Sequence, residues 1–482
     1  MNPKSAAFVT LALTASLPLL AQDKAATAIS GSPAPPSATS AGLLNDWLRQ
    51  HSADFKMWDL GGQVRLRYES KENMAVAGRA GAVDFGASAV DNDNDYFLTR
   101  AKLHIGLSPA DWFTAFAEGR HSSAASDERT PGPDRDALDL HQAFITLGNV
   151  KHFPVTAKIG RQELSYGDER LIGAADWVNT GRVFDAARLR YENSDFWVEA
   201  FVSQVVMVRD DYFNQPNNYD YLSGLYASTR TLIPKQETQL YFLARNVQHG
   251  SPNVIGAGQP PFLSGAVPRD IYTFGARVKS LPGQFKGWDY AAELAGQFGR
   301  YQNLRHEAFA AHVAGGYTWE KAWGTPRAGL EYNYASGDGN SKDGTHGTFD
   351  NLFPTNHKFY GFMDFFSWQN LHDVRLAASL KPARQFTLTA DYHAFWLADS
   401  QDYFYQVNGA ARTTGGYGIN AAAGSFVGSE IDLVGTYAIK PYAVVQAGFG
   451  HFFAGDYVKA SLAGSGRSQD ANWVYLQTTF TF

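Results

Sequence analysis

The sequence predicts an all-β fold: a transmembrane antiparallel β-barrel of about eighteen strands, with short periplasmic turns and long extracellular loops. Three observations predict it. Segments of two-residue periodicity recur along the chain, short and long links alternate between them, and the last segment ends on an aromatic residue. An even strand number and this alternation of links are typical of bacterial outer-membrane barrels.

The C-terminal stretch Ala471–Phe482 shows the periodicity most clearly. Successive side chains of a strand point to opposite faces. One face carries Val474, Leu476, Thr478, Phe480 and Phe482, and the other carries Trp473, Tyr475, Gln477, Thr479 and Thr481. An amphipathic edge strand of a soluble protein would also fit. A barrel instead pairs its last strand with its first, so that no edge remains.

The composition excludes several classes of protein. The chain of 482 residues has a net charge of -6 and 14% aromatic residues, with a mean hydropathy of -0.29. Helical membrane spans would raise that value, and no run of about 18 apolar residues follows the N-terminus. Cysteine is absent, which excludes disulfides and thiolate chemistry. The slightly acidic balance argues against a nucleic-acid binder.

The first sixty residues precede the barrel. Residues 1–21 resemble a signal peptide, with Lys4, an apolar core and Ala21 before the predicted cleavage site, although Leu19 is larger than preferred there. Residues 22–60 comprise an Ala/Ser/Pro-rich linker and a short amphipathic helix within 43–58. The barrel is predicted over 61–482. Its location is therefore expected to be the bacterial outer membrane.

Strands follow in order along the barrel segment. We predict them near 63–70, 96–107, 112–122, 138–148, 154–163, 184–192, 196–208, 220–230, 236–247, 271–280, 288–300, 307–319, 325–336, 370–381, 385–397, 428–439, 442–453 and 472–482. The short links hold Pro109, Pro154, Pro234, Pro282, Pro326, Pro382 and Pro441. Proline suits a turn because it lacks an N–H and has a fixed φ.

Strand parity predicts which charges face the lumen, since a charge facing lipid at mid-bilayer costs roughly 2–4 kcal/mol. The predicted inward cations are Arg65, Arg67, Arg100, Lys102, Arg120, Lys158, Arg188, Arg190, Arg245, Arg277, Lys279, Arg327 and Arg375. The predicted inward acids are Glu69, Glu118, Glu192, Glu199, Glu293, Glu331, Asp391, Glu430 and Asp432. Unpaired arginines on the first six strands would form a track for an anion. Structural ion pairs are the alternative for each arginine.

Three segments carry a recognisable pattern. Residues 160–173 read GRQELSYGDERLIG, followed by Asp176-Trp177, Gly181-Arg182, Phe184-Asp185 and Arg188-Leu189. The third segment contains Phe353-Pro354-Thr355-Asn356-His357 and Tyr360-Gly361. Together they resemble the alginate export family of outer-membrane porins. The resemblance implies a monomeric, eighteen-stranded barrel whose electropositive lumen passes alginate outward, gated by loops.

By motif, the resemblance also implies that Arg161, Asp168, Arg170, Arg182 and Arg188 line the conduit or fold into it. The full set of predicted conduit residues is Arg65, Arg67, Arg100, Lys102, Arg120, Arg161, Asp168, Arg170, Arg182, Arg188, Arg190, Arg277, Arg327 and Arg375. A loop at 166–170 that folds back and is held by internal salt bridges, without touching substrate, is the equal alternative. The long N-terminal linker is outside the family motif.

The predicted function is export of an anionic polysaccharide, with no catalysis, cofactor or metal. A passive anion-selective or nutrient-uptake porin of the same fold is the alternative. A barrel esterase would need a Ser, His and acid cluster, but Gly-x-Ser-x-Gly is absent and the 13 histidines are scattered. The acidic run 91–95 resembles a calcium loop but has Tyr96 where glycine is needed. Expected partners are the polysaccharide, outer-membrane lipid and lipopolysaccharide, and periplasmic secretion-complex proteins.

Overall fold

The computed structural model describes residues 43–74, 85–87, 93–129, 134–210, 212–253, 262–265, 267–413 and 416–482. The predicted signal peptide, the linker up to residue 42, and residues 91 and 92 of the calcium-like loop lie outside the described residues. Helix α1 covers Leu43–His51, and a 3-10 turn covers Ala53–Met57. The Asn45 amide donates to Asp59 at 2.6 Å, which ties α1 to the first strand.

In the described part of the chain, eighteen long strands form one closed antiparallel sheet, which confirms the predicted fold. They are β1 Trp58–Glu72, β2 Asn94–Ala110, β3 Phe113–Ala125, β4 Asp136–Leu147, β5 Val155–Gln162, β6 Phe184–Glu192, β7 Phe196–Met207, β8 Gln215–Thr229, β9 Gln236–Val247, β10 Arg269–Ser280, β11 Trp288–Tyr301, β12 Leu304–Thr318, β13 Arg327–Ala335, β14 Leu371–Ala383, β15 Phe386–Leu397, β16 Phe426–Lys440, β17 Ala443–Ala454 and β18 Ala471–Thr481.

The barrel closes between its first and last strands. Gln63 of β1 lies opposite Thr481 of β18, and the antiparallel register continues to Glu72 opposite Asn472. The other side of β1 pairs with β2, where Arg65 lies opposite Arg100. The polar and aromatic pattern of the last twelve residues therefore belongs to a strand with two neighbours, and the sheet has no free edge at this point.

Side chains alternate between an apolar outer face and a polar inner face. Leu66, Leu103 and Leu294 are exposed on the outside, whereas Arg65 and Arg100 are buried on the inside. Both sets lie where the two-residue period predicts. Because the strand parity holds through β1 and β2 without a slip in their pairing, the basic residues of these strands share the inner wall.

Two predicted turn prolines lie inside strands. Pro109 belongs to the end of β2 and Pro382 to the end of β14, and the pairing register shifts at both places, between Leu107 and Ala110 and between Leu380 and Ala383. A β-bulge leaves one residue unpaired, so the missing N–H of proline costs no ladder hydrogen bond there. The prediction that these prolines mark the turns was wrong by two or three residues.

Short elements lie in the links between the strands. Strands Pro252–Asn253 and Phe262–Gly265 form a small hairpin, and Thr345–His346 adds to β12 in parallel. Helix α2 covers Asp456–Ser461, and 3-10 turns cover Asn356–Lys358, Ala421–Ala423 and Ala463–Ser465. No helix among the described residues is long and apolar enough to span a bilayer. The sequence predicted none of these small elements, because each is too short to show a period.

Candidate functional site

The link between β5 and β6 folds into the barrel. We call residues 163–183 the first inward loop. It reaches β2 on one side, where Asp176 pairs with Arg100 at 2.9 Å, and β13 on another, where Arg170 pairs with Glu331 at 2.7 Å. A segment that starts and ends on neighbouring strands and touches both of these walls must cross the bore. Its tight turn places Gly167 at φ +59°.

A second segment meets the first inside the barrel. Residues 347–370, between β13 and β14, form the second inward loop. The Phe353 N–H donates to the carbonyl of Leu171, and the Gly173 N–H donates to the carbonyl of Phe353, both at 2.9 Å. These bonds make a short parallel bridge between the loops. The two loops thus satisfy each other's backbone groups in an interior where no strand edge is free to do so.

The tip of the second inward loop is attached to strand β16 of the barrel wall. The Met363 N–H donates to Glu430 at 2.9 Å and the Phe362 N–H donates to Asp432 at 3.2 Å. Both carboxylates belong to β16 and are buried. Gly361 precedes these donors with φ +84°, and a Cβ at this position would lie 2.5 Å from Glu430 Oε1. The contact therefore requires glycine.

The first inward loop neutralises the basic residues of β1 and β2. Besides Arg100, the Asp176 carboxylate lies 3.7 Å from Lys102 and 3.9 Å from Arg65. The guanidinium of Arg67 lies 3.8 Å from the centre of the Trp177 ring and pairs with Glu69 of its own strand at 2.8 Å. The predicted track of unpaired arginines is therefore wrong for this conformation, because loop groups occupy it.

Carboxylates also pair with most of the other predicted conduit residues. Arg120 pairs with Asp136, Arg161 with Asp185, Arg188 with Glu199, Arg190 with Glu192, Arg277 with Asp168, Arg327 with Asp289, and Arg375 with Glu331 and Asp391. The partners of Arg120, Arg161, Arg188, Arg190, Arg327 and Arg375 are strand residues, so these ion pairs belong to the wall. The partner of Arg277 belongs to the first inward loop.

Asp168 is the second loop carboxylate that faces several cations. It lies 2.6 Å from Arg277 and 3.3 Å from Lys279, both on β10. Burial raises the pKa of Asp168, but Arg277 and Lys279 outweigh this effect and hold the pKa well below its usual range. The carboxylate is therefore charged at neutral pH, and it binds two cations at once.

Arg182 differs from the other conduit residues because its partners are carbonyls. Its Nη1 donates to the carbonyls of Gly173, Phe353 and Pro354, at 3.0, 2.6 and 2.8 Å. Among the described residues, no carboxylate forms a salt bridge with it. Burial and the charge of Arg245 lower the pKa of Arg182 to about 9. Arg182 thus fastens the two inward loops together through neutral carbonyl groups.

A cavity of about 460 Å³ lies beside Arg182. Arg245 and Arg269 supply two more cations to its wall, and Tyr301 and Tyr405 supply aromatic surface. Asp350 lies between the two arginines, 3.4 Å from each. Burial raises the pKa of Asp350, but Arg269 and Arg245 lower it to about 2. This cavity is an open space next to the crossing loops among the described residues.

The sequence matches one protein family over most of its length. The model of the alginate export family matches residues 56–473. The chain belongs to the alginate export family. The resemblance inferred from residues 160–189 and 353–361 is therefore confirmed. No curated protein matches the sequence at a significant level.

Solved porin structures share the fold of this family member. Pseudomonas aeruginosa OpdO is 12% identical with a TM-score of 0.55, covering 88% of this chain and 97% of its own. Pseudomonas aeruginosa OpdK with vanillate is 12% identical with a TM-score of 0.53, covering 88% and 98%. Acinetobacter baumannii OccAB4 is 10% identical with a TM-score of 0.54, covering 88% and 98%. This alginate export family protein is an outer-membrane β-barrel channel.

Some residues of the site had no role in the sequence prediction. Asp176 and Trp177 belong to the recognised motif, yet their contacts with Arg65, Arg67 and Arg100 join residues about 75–110 positions apart. The family motif was the only signal for them. Residues 337–370 show no strand period. This absence predicted a long link but did not show whether the link folds into the barrel or away from it.

The acidic wall was also missed as a group. Glu430 and Asp432 of β16 lie near Asp391 and His393 of β15 in the sheet, and His393 pairs with Asp373 of β14 at 2.9 Å. Parity predicted that Glu430, Asp432 and Asp391 face inward. The three residues lie on consecutive strands, so parity combined with the sequential strand order was the signal that could have grouped them.

Proposed function

We propose that this outer-membrane channel exports an anionic polysaccharide of the alginate type through a bore whose basic residues bind its carboxylates. One observation carries the proposal: two carboxylates of the first inward loop, Asp168 and Asp176, are each shared by several wall cations. Asp176 is shared by Arg65, Arg100 and Lys102, and Asp168 by two cations of β10.

A carboxylate at the end of a short side chain resembles the carboxylate of a uronate residue in a polymer. When the loop withdraws, the polymer carboxylates take the places of Asp168 and Asp176. Each contact exchanges one ion pair for another, so that no wall cation is left bare at any stage. Conduction requires many weak contacts rather than one tight one, and an exposed ion pair is worth about 0–1 kcal/mol.

Family membership supports the substrate class, and the closed sheet supports transport by a single chain. Because β1 and β18 pair within one polypeptide, the proposal takes the protein to act as a monomer. The outer apolar belt contacts lipid and, in the outer leaflet, lipopolysaccharide. Direction is supplied by periplasmic secretion-complex proteins, since a pore holds no motor. The proposal includes no catalytic step.

The alternative is a passive porin that takes up small anions. The cavity beside Arg182 supports it, since about 460 Å³ lies in the range of roughly 300–1,000 Å³ typical of small-molecule sites. OpdK, whose structure contains vanillate, has the same fold. A small carboxylate would bind Arg182 and the neighbouring arginines without passing the whole bore.

Planar-bilayer recording with the purified protein tests the proposal. Block of the chloride current by polymannuronate or polyguluronate at low concentration is expected, and indifference to both polymers would favour the small-anion porin. The triple variant Arg65→Glu, Arg100→Glu and Arg188→Glu is expected to reverse or abolish anion preference. Its control is the outward-facing triple of the same strands, Leu66→Gln, Leu103→Gln and Leu189→Gln, which leaves the bore charge unchanged.

A further inference from the structure

The first inward loop also places an aromatic ring in a slot of the wall. The ring of Tyr166 stacks on Phe201 of β7, with centroids 5.2 Å apart and planes at 21°, and on Tyr226 of β8, at 4.8 Å and 27°. Both wall rings face the bore and are buried. Trp197 and Tyr241 stack on Tyr226 at 5.8 and 5.3 Å and hold it in place.

Charged and polar groups surround the slot. The Tyr166 hydroxyl donates to Glu199, and Arg188 binds the same carboxylate with Nη2 at 2.8 and 2.9 Å. The Arg188 guanidinium lies 5.7 Å from the centre of the Tyr166 ring. The slot therefore offers two aromatic surfaces, one hydrogen-bond acceptor and one guanidinium within reach of a single six-membered ring.

We infer that this slot is a sugar-binding subsite of the bore, which Tyr166 occupies until the loop withdraws. The inference deepens the proposed function and rests on it. A pyranose ring has the size of the Tyr166 ring, and its axial C–H groups carry the partial positive charge that aromatic faces attract. A ring hydroxyl takes the place of the Tyr166 hydroxyl on Glu199, and the carboxylate of a uronate binds Arg188.

The backbone conformation of the first inward loop places the Tyr166 ring against the wall. Gly167 follows Tyr166 with φ +59°, and a Cβ at this position would lie 3.0 Å from the Tyr226 hydroxyl. The backbone thus approaches the wall closely at the residue next to the ring. Tyr226 itself donates to Gln239 at 2.8 Å, which fixes its orientation whether or not the loop is present.

A purely structural slot and a sugar subsite predict different effects of substituting Tyr166 on the one hand and Phe201 or Tyr226 on the other. If the rings only hold the loop closed, removing the Tyr166 ring and removing the Tyr226 ring weaken loop closure to the same extent. If the slot binds sugar, Tyr166→Leu removes a competitor, whereas Phe201→Leu and Tyr226→Leu remove the binding surface. The first change then strengthens sugar binding and the other two weaken it.

The experiment measures block of single-channel chloride current by a mannuronate trimer in planar bilayers. Phe201→Leu with Tyr226→Leu is expected to shorten the blocked dwell time about tenfold, and Tyr166→Leu to raise the rate of block. The matched control is Tyr221→Leu, the same substitution on the outer face of β8. Heat-modifiable migration in gels verifies that each variant forms a barrel.

The outcomes separate this inference from the proposed function. If the unaltered protein is never blocked by the trimer or by longer polyuronates, the proposed function fails and the subsite fails with it. If the unaltered protein is blocked but Phe201→Leu with Tyr226→Leu keeps the same dwell time, the subsite alone is overturned. A rise in open probability of equal size for Tyr166→Leu and Tyr226→Leu, without a change in dwell time, likewise assigns the rings to loop closure only.

Discussion

Asp176 is the residue at which three basic side chains of the wall meet. It binds Arg100 at 2.9 Å, with Lys102 and Arg65 within 4.0 Å. Desolvation raises the pKa of Asp176, but the positive charges of Arg100 and Lys102 outweigh this effect and hold the pKa well below its usual range. Its side chain is nevertheless 62% exposed, so water in the bore screens these pairs. These ion pairs therefore neutralise the wall cations more than they stabilise the fold.

Asp176→Asn removes one negative charge and leaves three cations without this partner. Because the carboxylate is exposed, closure of the loop is expected to lose no more than about 1 kcal/mol. Anion preference is expected to increase, measured as a shift of the reversal potential in a potassium chloride gradient. Glu72→Gln, a nearly isosteric change at an exposed strand end, is the control. An unchanged reversal potential would contradict a role for these cations in selectivity.

Acid is expected to release the first inward loop. The pKa values of Asp168 and Asp176 are lowered in the folded protein, so their stabilisation is complete above the unfolded value of about 3.9 and is lost as pH falls through the folded values. Conductance is therefore expected to stay constant from about pH 8 to pH 5 and to rise below about pH 4. Bilayer recording across this range checks it, and a rise centred near neutral pH would contradict it.

Arg182 is expected to determine how tightly the two inward loops hold together. Arg182→Gln removes a charged donor from three buried carbonyls, and hydrogen bonds to charged groups are worth about 1.5–3 kcal/mol. Amides of Gly173 and Phe353 should then exchange with deuterium about ten- to a hundredfold faster. Arg182→Lys keeps the charge and serves as the control. Exchange rates that do not change would show that the bridge between the loops stands without this residue.

At the scale of elements, the two inward loops supply backbone hydrogen bonds to each other inside the barrel. Neither loop carries a strand period, and each depends on the other for backbone hydrogen bonds. Their attachment points lie on different strands, at Glu331 of β13 for the first loop and at Glu430 and Asp432 of β16 for the second. A movement of one loop therefore removes hydrogen-bond partners of the other, so we expect the two loops to move together.

Gly361→Ala tests the attachment of the second inward loop. The substitution adds a Cβ at φ +84° and brings it within 2.5 Å of Glu430 Oε1. Gly344→Ala is a matched control, since Gly344 has φ +82° and nothing lies within 4 Å of its Cβ position. Both variants bear the backbone cost of about 1–2 kcal/mol. Only Gly361→Ala is expected to increase channel conductance, and equal conductance of the two variants would contradict the attachment.

At the scale of the whole molecule, two groups of like charge lie on neighbouring strands of the barrel. The basic residues of β1 and β2 bind one end of the first inward loop, whereas Glu430, Asp432 and Asp373 gather on β14 and β16. A net charge of -6 for the chain conceals this arrangement.

The lipid-facing surface can be tested with one charge. Leu476 is outward and 52% exposed on β18, so Leu476→Arg is expected to lower the free energy of unfolding by about 2–4 kcal/mol if it lies near the bilayer centre. Gln446→Arg on β17 places the same group in the bore and is the control, because Gln446 faces inward with Thr436. Denaturant unfolding in vesicles measures both, and equal losses would contradict the assigned faces.

The local sequence pattern was sufficient to predict the wall of this barrel. Strand existence, parity and closure all follow from a two-residue period, since a lipid-facing side chain and a bore-facing side chain have opposite solvents. The bounds were predicted to within about five residues even at β8, whose first residues, Gln215–Asn217, carry no clear period. The inward cations from Arg65 to Arg375 followed from the same alternation.

The contents of the bore depended on contacts between residues far apart in the chain. No local pattern shows that Asp176 meets Arg100, that Phe353 pairs with Leu171, or that Tyr166 lies between Phe201 and Tyr226. A loop of polar and glycine residues can lie in solvent or inside a polar lumen, provided that its polar groups find hydrogen-bond and ion-pair partners there. Only the closed barrel places those partners around it, so the tertiary structure alone decided that the bore is filled and by which residues.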